Sequence, residues 1–216
     1  MVALFLRLLL SLAGALPGSV EVQITVQRRD GTAKKDYAGV VVYLADARAG
    51  GPAHGAEIRQ AQRRFVPSVL TVPAGTRVAF PNDDALEHNV FSHSAAADFD
   101  LGRFARGPGK TVAFDRVGVA EIFCNVHKEM VSYVVVTPGA ASTITGPDGR
   151  FVLKGVPAGP HRLVIWHRFA RPKLIEVQIE VAAGKPLSLT QLVREAVDAE
   201  PAHKNKFGVD YGAGYK

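Results

Sequence analysis

From Val20 to Gln27 apolar and polar residues alternate without a break, VEVQITVQ, the period of a strand with one face buried. Comparable short runs follow at Val40 to Leu44, Val69 to Val72, Arg77 to Pro81, His88 to Ser92, Thr111 to Phe114, Ala120 to Cys124 and Ser132 to Val136. Four more lie at Phe151 to Lys154, His161 to Trp166, Leu174 to Val181 and Leu187 to Val193. Gly, Pro, Asn or Asp separates them, as in Arg29-Asp30-Gly31 and Pro147-Asp148-Gly149, so the pattern predicts strands joined by turns. Residues 46 to 62 predict a loop, residues 95 to 106 leave room for a short turn of helix, and the chain from Arg194 onward predicts an extended, polar tail. No long helical period occurs. The fold class is all-β, built as sandwiches.

Composition supports an ordered chain. Hydrophobic residues make up 47% of the 216 and charged residues 21%, which excludes a disordered protein and suits one large or two small β-domains. The net charge of +6 favours acidic partners. Its Arg and Lys are scattered, with no basic helix or aromatic-interleaved patch, so nucleic acid is not an expected partner. The first residues, MVALFLRLLLSLAGALPGSV, form a short apolar run with Arg7 and a small-x-small site at Ala13-Gly14-Ala15. This predicts a signal peptide over residues 1–15, periplasmic export, and no membrane span after cleavage. Export makes the single cysteine, Cys124, informative. Exported domains commonly use cysteines in pairs, and a lone one points to an intermolecular bridge, a reactive thiol, a metal thiolate or simple packing.

Cys124 lies in Glu121 to Met130, EIFCNVHKEM. Cys-x2-His-x2-Met places a thiolate, an imidazole and a thioether, at Cys124, His127 and Met130, on one short loop after a strand. Taken singly, each is an ordinary packing residue. Together they form a soft donor set, and two His, one Cys and a weak Met make the electron-transfer copper site. The second His is assigned to His88, in PNDDALEHNV. A structural zinc site needs more Cys or His, a thiolate-bridged dinuclear centre needs a second Cys, and a multicopper site needs His-x-His pairs; none is present. The cofactor expected is therefore one mononuclear copper ion. Its four ligands leave no open position for a substrate, so no enzyme is expected.

Residues 66–137 resemble a cupredoxin domain of the plastocyanin and amicyanin type, through Cys-x2-His-x2-Met and through FPNDDALEHNV, where the first His ligand is followed by Asn and Val. The resemblance covers about a third of the chain. It implies a Greek-key β-sandwich with His88, Cys124, His127 and Met130 as copper ligands. It also implies that Asn89 ties the two ligand segments together and that His127 is the ligand at the solvent edge. Lys128 and Glu129 stand where the family carries apolar residues or Pro, which departs from its docking patch. The flanks, DGTAKKDYAGVVVYL and GPDGRFVLKGVPAGPHRLVIW, resemble two halves of a smaller carboxypeptidase regulatory-like (transthyretin- or prealbumin-like) sandwich, with His161-Arg162-Leu163 replacing the usual aromatic. The expected organisation is residues 20–48 and 140–194 as that sandwich, 66–137 inserted as the copper domain, and 195–216 as the tail. The whole resembles bacterial exported proteins of the plastocyanin-like, methylamine-utilisation type.

The resemblance implies a periplasmic one-electron carrier with a redox partner protein, which the basic charge favours being acidic. A periplasmic copper carrier or sensor without electron traffic, and a metal-free scaffold, are the alternatives at this stage. His93, His161 and His167 are read as surface or packing residues.

Overall fold

A computed structural model of the chain describes residues 16–46, 51–197 and 203–211. The expected signal peptide lies outside the described residues. These contain sixteen strands in four sheets. The first sheet holds β1 (Gly18–Gln27) between β13 (Arg150–Val156) and β16 (Pro186–Arg194). The second runs β12 (Ser142–Ile144), β2 (Val41–Leu44), β14 (Gly159–Trp166) and β15 (Leu174–Val181). The third runs β5 (Val69–Pro73), β11 (Val131–Thr137), β10 (Gly118–Phe123), β7 (His88–Ser94) and β8 (Ala97–Phe104). The fourth runs β4 (Arg64–Val66), β3 (Arg59–Ala61), β6 (Thr76–Asn82) and β9 (Gly107–Phe114).

Three apolar cores bind these sheets into a stack. Val20, Val22, Ile24 and Val26 of β1 meet Val42, Leu44, Leu163 and Ile165 between the first and second sheets. Phe80, Val90, Phe114, Ile122, Cys124, Met130 and Val134 fill the space between the third and fourth. The third core joins the middle sheets, where Val41, Tyr43, Val164 and Trp166 pack on Val69, Tyr133 and Val135. Successive side chains on a strand point to opposite faces, so a strand covered on both faces must be apolar at every position. This explains the continuous runs VVYL and LVIW in the second sheet and YVVV in the third. In β14, for example, Leu163 and Ile165 face the first core while Val164 and Trp166 face the third.

Three expectations are corrected. Residues 97–104 form β8 rather than a turn of helix. Here ADFDLGRF pairs with β7 from His88↔Phe104 to Ser94↔Ala97, and the pairing satisfies its backbone. The stretch expected as a loop over 46–62 contains β3, which pairs antiparallel with β4. Gln62 and Arg63 turn that hairpin with positive φ (53° and 56°), and the residue pair carries no Asn-Gly or Asp-Gly signal. The described part of the tail also departs from an extended chain: Asn205 N–H donates to Val209 O and Gly208 N–H to Asn205 O, closing a turn.

Candidate metal centre

The site sits where β7, β10 and β11 converge. β10 and β11 form an antiparallel hairpin from Gly118↔Val136 to Phe123↔Val131, and residues 124–130 are its connection. Cys124 N–H donates to Met130 O at 3.3 Å and Met130 N–H to His127 O at 3.1 Å, so the loop turns back and closes on itself. β7 lies beside β10 with Phe91 opposite Phe123, which brings the head of β7 to the same end of the sheet. His88 is the first residue of β7.

His88, Cys124 and His127 come together there, each offering a donor atom within 4.8 Å of the others. His88 Nδ1 and His127 Nδ1 are 3.0 Å apart, and Cys124 Sγ is 3.9 Å from His127 Nδ1. Nitrogen and sulfur donors at ordinary bonding distances in a trigonal set lie roughly 3.5 Å from one another, so these separations suit a single small ion. Met130 is fully buried in the core that contains Cys124. His88 and Cys124 are also fully buried, and His127 is the partly exposed member.

The electrostatics of Cys124 and His127 suit metal binding. Burial pushes the Cys124 thiol up, but hydrogen bonds from His88 and from the N–H groups of Asn89, Val126 and His127 outweigh it and leave the thiol below its usual value. Val126 N–H lies 3.4 Å from Sγ. Burial, then the nearby His88 charge, holds His127 below the usual imidazole value. A thiolate and a neutral imidazole are the forms in which these side chains bind metals. For His88, burial acts downward, but its bonds to Cys124 and Asp84 prevail and raise it.

Asn89 links the two donor segments. Its Oδ1 accepts from Asn125 N–H at 3.2 Å, and its Nδ2 donates to Asp100 at 2.6 Å. One residue escaped the sequence reading. Asp84 Oδ2 lies 2.8 Å from His88 Nε2 and accepts from Arg63 N–H at 2.8 Å, while Oδ1 accepts from Gln62 N–H at 2.7 Å. Burial would raise the Asp84 carboxyl, but the Arg63 N–H, His88 and Gln62 N–H bonds together hold it low. Asp84 thereby fixes the His88 ring with Nδ1 aimed into the cluster. Asn82, itself buried, holds the turn with Oδ1 on Asp84 N–H and Nδ2 on Leu86 O. His93, His161 and His167 are outside the cluster: His93 pairs with Asp98, His161 with Asp46, and His167 lies near Glu195.

No protein-family model matches the chain, and no curated protein does. Solved structures do match it in part. A purple cupredoxin from Nitrosopumilus maritimus is 26% identical, with 38% of this chain on 99% of that one and a TM-score of 0.34. A methionine-to-alanine variant of amicyanin, Cu(I), is 21% identical over 44% of this chain and 97% of its own, with a TM-score of 0.36. A copper-containing nitrite reductase from Thermus scotoductus is 22% identical over 38% of this chain, with a TM-score of 0.36, and the match spans 22% of that reductase chain. The third and fourth sheets carry one donor loop between β10 and β11 and a further donor at the head of β7. They form a β-sandwich around one apolar core. In this sandwich Lys128 and Glu129 are exposed beside His127, so the rim of the site is charged.

Proposed function

We propose that the sandwich of the third and fourth sheets is a cupredoxin domain, that it holds one mononuclear copper ion and that the protein is a periplasmic one-electron carrier. The observation that carries this reading is the convergence of His88, Cys124 and His127 donors within 4.8 Å, with Met130 buried in the same core. When bound, copper supplies the one-electron Cu(I)/Cu(II) couple. The chain supplies the rest. Cys124 would offer its thiol, held below its usual value by His88 and backbone N–H groups, and Met130, buried in the same core, would offer a thioether. The two imidazoles are directed by different means, His88 by Asp84 and His127 by the closed loop. Burial of His88, Cys124 and Met130 excludes water from three sides and leaves the His127 edge as the way in for an electron. A cage fixed by this many hydrogen bonds changes little between oxidation states, which favours electron transfer over ligand exchange.

In this reading the protein is not an enzyme. Its first fifteen residues direct export, and an acidic redox protein docks against the charged rim of a chain whose net charge is +6. No helix of the described residues is long and apolar enough to cross a membrane. The first and second sheets, which share one core, are read as the regulatory-like sandwich that carries the copper domain.

Copper loading followed by a visible spectrum and a redox titration tests the proposal. One copper per chain, an intense thiolate-to-copper band and a reversible couple are expected, with band and stoichiometric binding both lost in Cys124→Ser. Tight Cu(I) binding with no stable Cu(II) form would instead assign a copper carrier or sensor, and no binding would leave a scaffold.

A further inference from the structure

The donor loop is gripped from outside by residues from the far end of the chain. Tyr211 Oη donates to Cys124 O at 2.7 Å. Lys206 N–H donates to Asn125 Oδ1 at 3.0 Å, and His203 Nε2 lies 2.7 Å from Lys128 O. The His203 ring lies flat on Phe123 at 4.1 Å between centroids, and Tyr211 meets it edge-on at 5.2 Å. All these contacts fall on residues 123–128, the end of β10 and the part of the loop that carries Cys124 and His127.

The segment is itself built and anchored. Asn205, 5% exposed, accepts from Phe207 and Val209 N–H through Oδ1, which gives residues 205–209 a fixed turn. Lys206 Nζ pairs with Asp100 Oδ2 at 2.7 Å, and Asp100 Oδ1 holds the Asn89 amide. His93 Nε2 lies 3.1 Å from Lys206 O. The segment therefore spans from the β7–β8 hairpin to the donor loop and touches the network that joins them. A loop between strands is ordinarily the part of a fold that opens most readily. Pinning the Cys124 and Lys128 carbonyls fixes the peptide planes at both ends of the stretch that presents the sulfur and the His127 imidazole.

We propose that residues 203–211 are a strap that positions the donor loop, with His203 and Tyr211 as positioning residues that act through the backbone on Cys124 and His127. The hold on the loop is a property of the protein without metal; the effect on copper rests on the function proposed above.

Hydrogen exchange of the metal-free full chain, compared with Tyr211→Phe and with a chain ending at Ala202, separates the two. Amides of residues 124–130 are expected to exchange about fivefold faster in Tyr211→Phe, from loss of one hydrogen bond, and more than tenfold faster without the strap. Amides of β1 and β16 serve as the folding control and keep their wild-type rates. In the copper-loaded proteins, Cu(I) release to a chelator accelerates in the same order, and the Cu(II) electron-resonance hyperfine splitting shifts in Tyr211→Phe. Unchanged exchange over 124–130 in both variants overturns the strap. Faster exchange with unchanged release and unchanged splitting overturns the positioning role. Faster exchange in a wild-type background that binds no copper supports the strap and overturns the copper reading instead.

Discussion

Asp84→Asn replaces a carboxylate by an amide of the same shape, and the geometry sets the cost. Asp84 accepts three hydrogen bonds, from Gln62 N–H on Oδ1 and from Arg63 N–H and His88 Nε2 on Oδ2. An asparagine has one accepting oxygen. Placed at Oδ1, it keeps Gln62 and sets its NH2 against the N–H groups of Arg63 and His88. Flipped, it keeps those two and clashes with Gln62. Retaining the most bonds therefore still loses one backbone bond and the charge that strengthens the others. Hydrogen bonds to charged groups contribute about 1.5–3 kcal/mol each, so a loss of about 2–4 kcal/mol in stability of the metal-free protein is expected. His88 is fully buried and has no water to turn to, so its ring loses its fixed orientation as well. Disturbing such a partner of a metal-binding His typically lowers affinity about 10- to 100-fold. Urea unfolding of the metal-free chain reads the first effect, and competition with a Cu(I) chelator the second. Copper affinity within twofold of wild type in a folded Asp84→Asn would refute the argument that Asp84 orients His88.

Other expected outcomes follow from buried groups away from the donors. Burial, together with Lys34 and Arg168, holds the His167 pKa at about 4. Between pH 6.5 and 4 the unfolded chain binds a proton that the native one does not, so acidification through that window removes up to about 3 kcal/mol of stability, and His167→Gln flattens that slope in pH-dependent unfolding. Trp166 is buried between the middle sheets against Tyr133, at 5.2 Å between rings, and Trp166→Ala is expected to cost about 3–5 kcal/mol in denaturant unfolding. Gly109 has φ of +67° and lies against the Phe80 carbonyl on the neighbouring strand, so Gly109→Ala forces the backbone of β6 aside and is expected to cost about 2–4 kcal/mol by thermal unfolding.

What the sequence reveals here depends on how local the cause is. Strands such as Val20 to Gln27 or Leu174 to Val181 announce themselves because alternation and burial are read residue by residue. Cys124, His127 and Met130 stand out because three soft donors share one loop, while the grouping of His88 with them needs β7 and β10 to be neighbours. Asp84 is invisible because Asp83-Asp84 reads as turn chemistry; only the 59–66 hairpin, itself hidden by its charged residues, supplies the N–H groups that give Asp84 its place. β8 is ambiguous for a related reason: alanine, aspartate and arginine carry no β-preference, and its pairing with β7 decides. The strap is harder still. His203, Lys206 and Tyr211 lie in a polar, glycine-containing stretch whose partners on the donor loop are 75 to 87 residues away, and no periodicity links them.

The pairing of β1 with β16 has a mechanical consequence. The two strands run parallel from Ser19↔Pro186 to Gln27↔Arg194, so tension drawn between Gly18 and Arg194 loads all of their hydrogen bonds in shear at once. Between them the polypeptide departs after β2 and returns at β12, and those two strands are themselves paired, from Ser142↔Tyr43 to Ile144↔Val41. Force applied to β1 and β16 therefore reaches β7, β10 and β11 only after the first two sheets have come apart. The donor cluster is sheltered from force applied at Gly18 and Arg194, whereas a pull beyond residue 211 first strips the strap from the donor loop; a single-molecule stretching trace with handles at Gly18 and Arg194 should show rupture of the donor sheets as the later event.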